Sequence, residues 1–189
     1  MMTLTYEKLA KEAIETLNKT LQDDFFKFKV LEISQLISLL NEQNKLVCIF
    51  GNGGSAADAQ HFAAELVSTY KRKDRKPYKA IALTTDSSII TACSNDFNYE
   101  SIFTRQIKAF KEIVGLSIGL STSGKSKNVL DALNYAKKIG SKTCLICGDN
   151  EIKSDKIDIV IKVPSKNTGT IQTITQVLYH SICEVLEES

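Results

Sequence analysis

The chain has 189 residues, 43% of them apolar and 24% charged, with a formal net charge of +2. That is enough chain for one domain with a substantial core, and too little positive charge to imply a nucleic-acid partner. No run approaches the roughly 18 apolar residues that cross a bilayer, Met1 to Leu21 has no secretory pattern, and five cysteines without disulfide-style spacing fit a reduced, cytoplasmic protein.

Leu4, Leu9, Ala13, Ile14 and Leu17 are spaced as in a helix over about Thr3 to Thr20. Asp23 or Asp24 caps a second helix, whose stripe runs through Phe26, Val30, Ile33, Leu36, Ile37 and Leu40. Two helices ahead of the first strand exceed what a minimal α/β unit needs. Residues 1–43 are therefore expected to cover a sheet edge or a neighbouring subunit, which points to an oligomer. Leu46 to Phe50 is a buried strand, followed by the turn Gly51-Asn52-Gly53-Gly54-Ser55 and a helix ending near Tyr70. Tyr70 to Lys76 is charged and reads as a solvated loop. Further strands are expected at Ala80–Leu83, Ile113–Leu120, Thr143–Cys147 and Ile157–Val163. Helices are expected from Ser87 to about Cys93, Glu100 to Lys111, Ser126 to Ile139 and Thr168 to Leu186, with Asn95-Asp96 in a loop. Gly140 and Pro164 mark stops. Near-continuous apolar strands alternating with helices indicate an α/β fold, a five-stranded doubly wound parallel sheet with two extra N-terminal helices. Cys144 and Cys147 form a C-x-x-C inside a strand, so burial is expected rather than redox or zinc chemistry.

Two loops carry the chemistry, and both end strands, where such sheets bind ligands. After the Gly51–Ser55 turn the chain enters a helix, whose N-terminal N–H groups suit an anion. On that helix His61 and Glu65 are four residues apart and share a face. Alone they read equally as a surface pair or as a metal or proton-transfer centre. Gly119 to Ser126 matches the phosphate-loop pattern G-x-x-x-x-G-K-[ST]. Too little chain follows it for a usual nucleotide hydrolase, and its hydroxyls (Ser121, Thr122, Ser123, Ser126) suit one phosphate monoester. A sugar-phosphate cradle is therefore preferred over a triphosphate site or a plain capped turn.

Gly51–Ser55, His61-Phe62-Ala63-Ala64-Glu65-Leu66, Asn95-Asp96-Phe97 and Ser121-Thr122-Ser123-Gly124 together resemble the sedoheptulose-7-phosphate (phosphoheptose) isomerases of the sugar-isomerase (SIS) domain superfamily. Ala80–Asp86, Ile171-Gln172 and His180 extend the resemblance over nearly the whole chain. It implies a three-layer, flavodoxin-like SIS fold as a single domain over 1–189. It also implies a homotetramer with sites at subunit interfaces and one Zn2+ per subunit. The implied activity converts D-sedoheptulose 7-phosphate to D-glycero-D-manno-heptose 7-phosphate, supplying heptose to bacterial lipopolysaccharide or capsule. The family's metal positions fall on His61, Glu65, Gln172 and His180. Its substrate positions fall on Asn52, Gly53, Gly54, Ser55, Glu65, Asn95, Asp96, Ser121, Thr122, Ser123, Ser126 and Gln172. Exchange between ketose and aldose through a cis-enediol needs a base and an acid, for which Glu65 and His180 are suited.

The chain departs from the family pattern at Thr170, Thr173 and Thr175, at Ser68-Thr69 and at Val114-Gly115-Leu116. A relative acting on another sugar phosphate, or a non-catalytic relative that binds a replication initiator, are the alternatives. Retention of His61, Glu65 and His180 argues against the second. Gln172 and His180 are eight residues apart, about 12 Å along a regular helix. Both reach one ion only if their side chains converge, if Gln172 sits in an irregular first turn, or if they come from different subunits.

Overall fold

The structure, a computed structural model, describes residues 2–152 and 156–188. Two helices, α1 (Met2–Gln22) and α2 (Asp24–Glu42), precede β1 (Leu46–Gly51) and α3 (Gly54–Val67). Then come β2 (Ala80–Ala82), α4 (Ser87–Asp96), a 3-10 turn at Tyr99–Ser101 and α5 (Ile102–Ala109). The chain continues through β3 (Val114–Ser121), α6 (Lys127–Lys138), β4 (Lys142–Gly148), β5 (Ile159–Val163) and α7 (Thr168–Glu188).

The five strands are all parallel, in the order β2-β1-β3-β4-β5. This is the doubly wound order in which the chain reverses direction between β1 and β3, the usual ligand crevice. Successive strand residues point to opposite faces, and β1 feeds two cores accordingly. Val47 and Ile49 pack with α2, α3 and α7, whereas Cys48 and Phe50 pack with α5 and α6. The result is three layers.

Asp23 caps α2, accepting from the Phe25 N–H at 2.9 Å. Phe26, Ile33, Ile37 and Leu40 bury the face of α2 that lies against α7 and reaches β1 and β3. Since those are interior strands, α2 covers a face of the sheet and not an edge. Glu12 of α1 accepts from Ser165 Oγ and Asn167 Nδ2 at 2.9 and 3.1 Å, tying α1 to the turn before α7.

One boundary differs in a way that bears on the site. Asn95 and Asp96, expected in a loop, form the last turn of α4. Asp86 caps that helix through the Ile89 N–H, and helical bonding persists to Phe97 N–H, which donates to Cys93 O at 3.1 Å. The next helix, α5, also starts later than expected, its Glu100 region being a 3-10 turn.

Candidate functional site

The two glycine- and hydroxyl-rich loops meet because their strands pair: Gly51 of β1 is in register with Leu120 of β3. Gly53 has φ +57°, a conformation that disfavours a side chain, and from it the chain enters α3. A Cβ at Gly54 would collide with the side-chain amide of Gln172, so the absence of a side chain lets α7 close on the first turn of α3. Ser55 is buried beneath this turn. Asn52 is fixed by reciprocal amide bonds with Asn128, at 2.9 and 2.8 Å, and accepts from the Tyr99 hydroxyl at 2.9 Å.

Across the switch point, Ser121 Oγ donates to Ser126 Oγ at 2.9 Å, and Ser126 N–H points back to Ser121 Oγ at 3.5 Å. Ser123 Oγ accepts from Lys125 N–H at 3.2 Å, and Thr122 O accepts from Gly148 N–H at 3.0 Å. The turn, closed by Gly124 at φ +67°, puts several hydroxyls beside the N-terminus of α6. That combination suits a phosphate dianion.

The third part is the helix pair α3 and α7. His61 Nε2 lies 3.0 Å from Glu65 Oε1 and 3.5 Å from His180 Nε2. Ligand atoms of the three residues all lie within 4.8 Å of one another. Ligands 2.0–2.1 Å from a tetrahedral zinc are separated by about 3.3 Å. Two imidazoles and a carboxylate at these spacings therefore fit a divalent cation with nitrogen and oxygen ligands. The second ring nitrogen of His61, Nδ1, is 2.8 Å from the Tyr179 hydroxyl. Tyr70 leans over His180, with ring centroids 5.5 Å apart. Burial, reinforced by His61 and opposed by Glu65, holds the His180 pKa below the usual histidine value, so its ring is neutral near pH 7. Burial pushes the Asp58 carboxyl up, an effect the neighbouring His61 opposes.

Of the expected metal positions, His61, Glu65 and His180 converge within one chain. Gln172 lies elsewhere: its amide rests on Gly54, seven residues before His61. Seven residues of helix are about 10 Å and return to nearly the same face. Gln172 thus belongs to the glycine turn, two turns below the three-residue cluster. Asn95 and Asp96 are exposed, and Asn95 Nδ2 donates to Asp96 Oδ1 at 2.8 Å. Tyr179, Asn128 and Tyr99 had no sequence signal, since each acts through a partner distant in the chain. The C-x-x-C is split between the two cores, Cys144 on one face of the sheet and Cys147 on the other. Burial pushes the Cys147 thiol up to about 11, so it is a core residue.

Residues 5–148 match the SIS domain family. The chain is 40% identical to a phosphoheptose isomerase of Helicobacter pylori (strain P12), with 97% of this chain and 91% of that one aligned. It is also 40% identical to one from Aquifex aeolicus, over 96% and 94% of the two chains. Among solved structures, a phosphoheptose isomerase from Neisseria gonorrhoeae superposes with a TM-score of 0.86 at 26% identity, all of both chains being covered.

Proposed function

The chain belongs to the phosphoheptose isomerases, sugar-phosphate isomerases built on the SIS domain, and we propose that it interconverts D-sedoheptulose 7-phosphate and D-glycero-D-manno-heptose 7-phosphate. The observation that carries this reading is the approach of His61, Glu65 and His180 at 3.0 and 3.5 Å. His61 and Glu65 stand on the helix that begins at the glycine turn, and His180 faces them from α7.

Ser121, Thr122, Ser123 and Ser126 hold the phosphate, and Asn52, Gly53, Gly54, Ser55 and Gln172 line the sugar, with Asn95 and Asp96 as further substrate contacts. Glu65 removes the proton from the carbon next to the carbonyl, giving a cis-enediol, and returns it to the neighbouring carbon. His180 serves as the acid at the oxygens; a neutral imidazole does this by presenting its N–H to the developing charge. His61, Glu65 and His180 would hold a zinc ion, which when bound supplies Lewis acidity to the carbonyl. Three protein ligands leave a fourth position open. We propose that Gln172, whose amide rests on Gly54 in its own chain, joins that centre from a second subunit.

Assembly is part of the proposal. Leu17, Leu21 and Leu31 are exposed around an apolar groove between α1, α2 and α7, and Phe25 and Phe28 stand exposed on the same α2. Apolar surface of this kind marks an interface, and a homotetramer would cover it. No described helix is long and apolar enough to cross a membrane, and a cytoplasmic enzyme supplying heptose for surface glycans is the reading adopted. The threonines at 170, 173 and 175 on α7, where the family pattern differs, favour a related heptose phosphate as the second reading.

Incubation of the zinc-loaded protein with sedoheptulose 7-phosphate should produce the aldose, seen as its anomeric proton by NMR. No aldose from this ketose, with turnover of another phosphorylated ketose, would select the second reading. No turnover of any would reject both.

A further inference from the structure

We infer that Tyr179 is a positioning residue for the metal centre, its hydroxyl holding His61 so that Nε2 faces Glu65 and His180. The inference rests on the proposed reading of those three side chains as ligands.

A free imidazole on a helix surface can turn its ring and place either nitrogen toward a ligand. Here one nitrogen is occupied: Nδ1 is 2.8 Å from Tyr179 Oη, which leaves Nε2, 3.0 Å from Glu65 Oε1, to face the centre. The anchor is rigid. The Tyr179 ring is 1% exposed and stacks on Phe62, with centroids 5.2 Å apart and planes at 15°. It also meets His61 and His180 edge-on, at 5.3 and 4.8 Å. Its hydroxyl cannot swing away without dislodging a ring packed between α3 and α7.

The chemistry of a hydroxyl adds a second point. A histidine ligand usually donates its other N–H to a carboxylate or carbonyl, which can only accept. A tyrosine hydroxyl both donates and accepts. With no cation, Nε2–H bonds Glu65 and the tyrosine O–H donates to Nδ1. With a cation on Nε2, the ring proton sits on Nδ1 and donates to Oη. The same contact therefore orients His61 in both states, so that the ring need not turn when metal arrives. Tyr179 lies next to His180 in sequence, so α7 supplies one ligand and the anchor of another from adjacent positions.

Tyr179→Phe removes the hydroxyl and keeps the stacked ring. Two measurements separate positioning from simple packing. The first is cobalt(II) affinity of wild type, Tyr179→Phe and His61→Ala, by competition with a chromophoric chelator. The second is the His61 tautomer in metal-free protein, by long-range 1H–15N NMR. The expected result is affinity weaker by about 10- to 100-fold in Tyr179→Phe, with the wild-type His61 proton on Nε2 alone and a tautomer mixture in the variant. Cobalt affinity equal in wild type and Tyr179→Phe, and lost in His61→Ala, would overturn the inference while leaving the metal centre standing. Failure of wild type to bind cobalt, or binding unchanged in His61→Ala, would overturn the metal reading and the inference with it.

Discussion

Asn52 and Asn128 exchange two amide hydrogen bonds, at 2.9 and 2.8 Å, across 76 positions of sequence. The pair joins the glycine turn after β1 to the first turn of α6, which carries the hydroxyl loop on its N-terminal side. Asn128 is 3% exposed, so its amide has little water to fall back on. The two halves of the proposed substrate site are thus held in register by a contact between side chains.

Asn128→Ala should leave Asn52 Nδ2 without its acceptor and Oδ1 with the Tyr99 hydroxyl alone. The expected outcome is a loss of about 1–3 kcal/mol in unfolding free energy, read from urea denaturation. KM for the sugar phosphate should rise as well, because Asn52 is then held only through Tyr99. Unchanged KM with lowered stability would make the pair a structural tie alone.

Ser126 meets Ser121 Oγ and begins α6. Ser126→Ala removes one hydroxyl from the proposed phosphate cradle, and a hydrogen bond to a charged group is worth about 1.5–3 kcal/mol. KM should therefore rise by about tenfold or more. Competitive inhibition by inorganic phosphate should weaken in parallel, since both report the same anion. An unchanged inhibition constant would place the phosphate elsewhere.

Glu187 links acid stability to the site. Its carboxylate accepts from the N–H groups of Tyr70, Lys71 and Arg72 at 3.1, 2.9 and 2.9 Å, and from Arg75 Nε at 3.0 Å. Burial alone would raise its pKa, but Arg75 and these backbone N–H groups together hold it below the usual value for glutamate. A lowered folded-state pKa gives stability that is full above the ordinary glutamate value and is lost as pH falls through the lowered one. Glu187→Gln should therefore lower Tm near pH 7 and have less effect near pH 3. The clamp also sets Tyr70 against His180, so the variant should weaken metal binding. Equal Tm losses at both pH values would show that the charge of Glu187 does not matter.

Much of this architecture was legible because it rests on local patterns. The parallel sheet follows from apolar runs such as Leu46–Phe50 and Ile113–Leu120, and the capped start of α2 from the Asp23-Asp24 pair, of which Asp23 is the cap. His61 and Glu65 converge because four residues are one turn, a relation that needs no tertiary information. Asn95-Asp96 misled because both residue types favour turns, yet Asp86 had already fixed a helix that runs through them. Gln172 and His180 could be placed on one helix but not against particular neighbours. Only the packing of α7 along α3 shows Gln172 at Gly54 and His180 at His61. Tyr179 and Asn128 were illegible for the same reason: their partners are 118 and 76 residues away.

The central claim is that Glu65 moves the proton in an aldose–ketose exchange. The most direct test is kcat for conversion of sedoheptulose 7-phosphate by wild type and Glu65→Gln, both with zinc occupancy confirmed by elemental analysis. Wild type should form the aldose, and the variant should be slower by about 10²–10⁴-fold with its fold intact by circular dichroism. A Glu65→Gln protein with wild-type kcat, or a zinc-loaded wild type that forms no aldose, would contradict it.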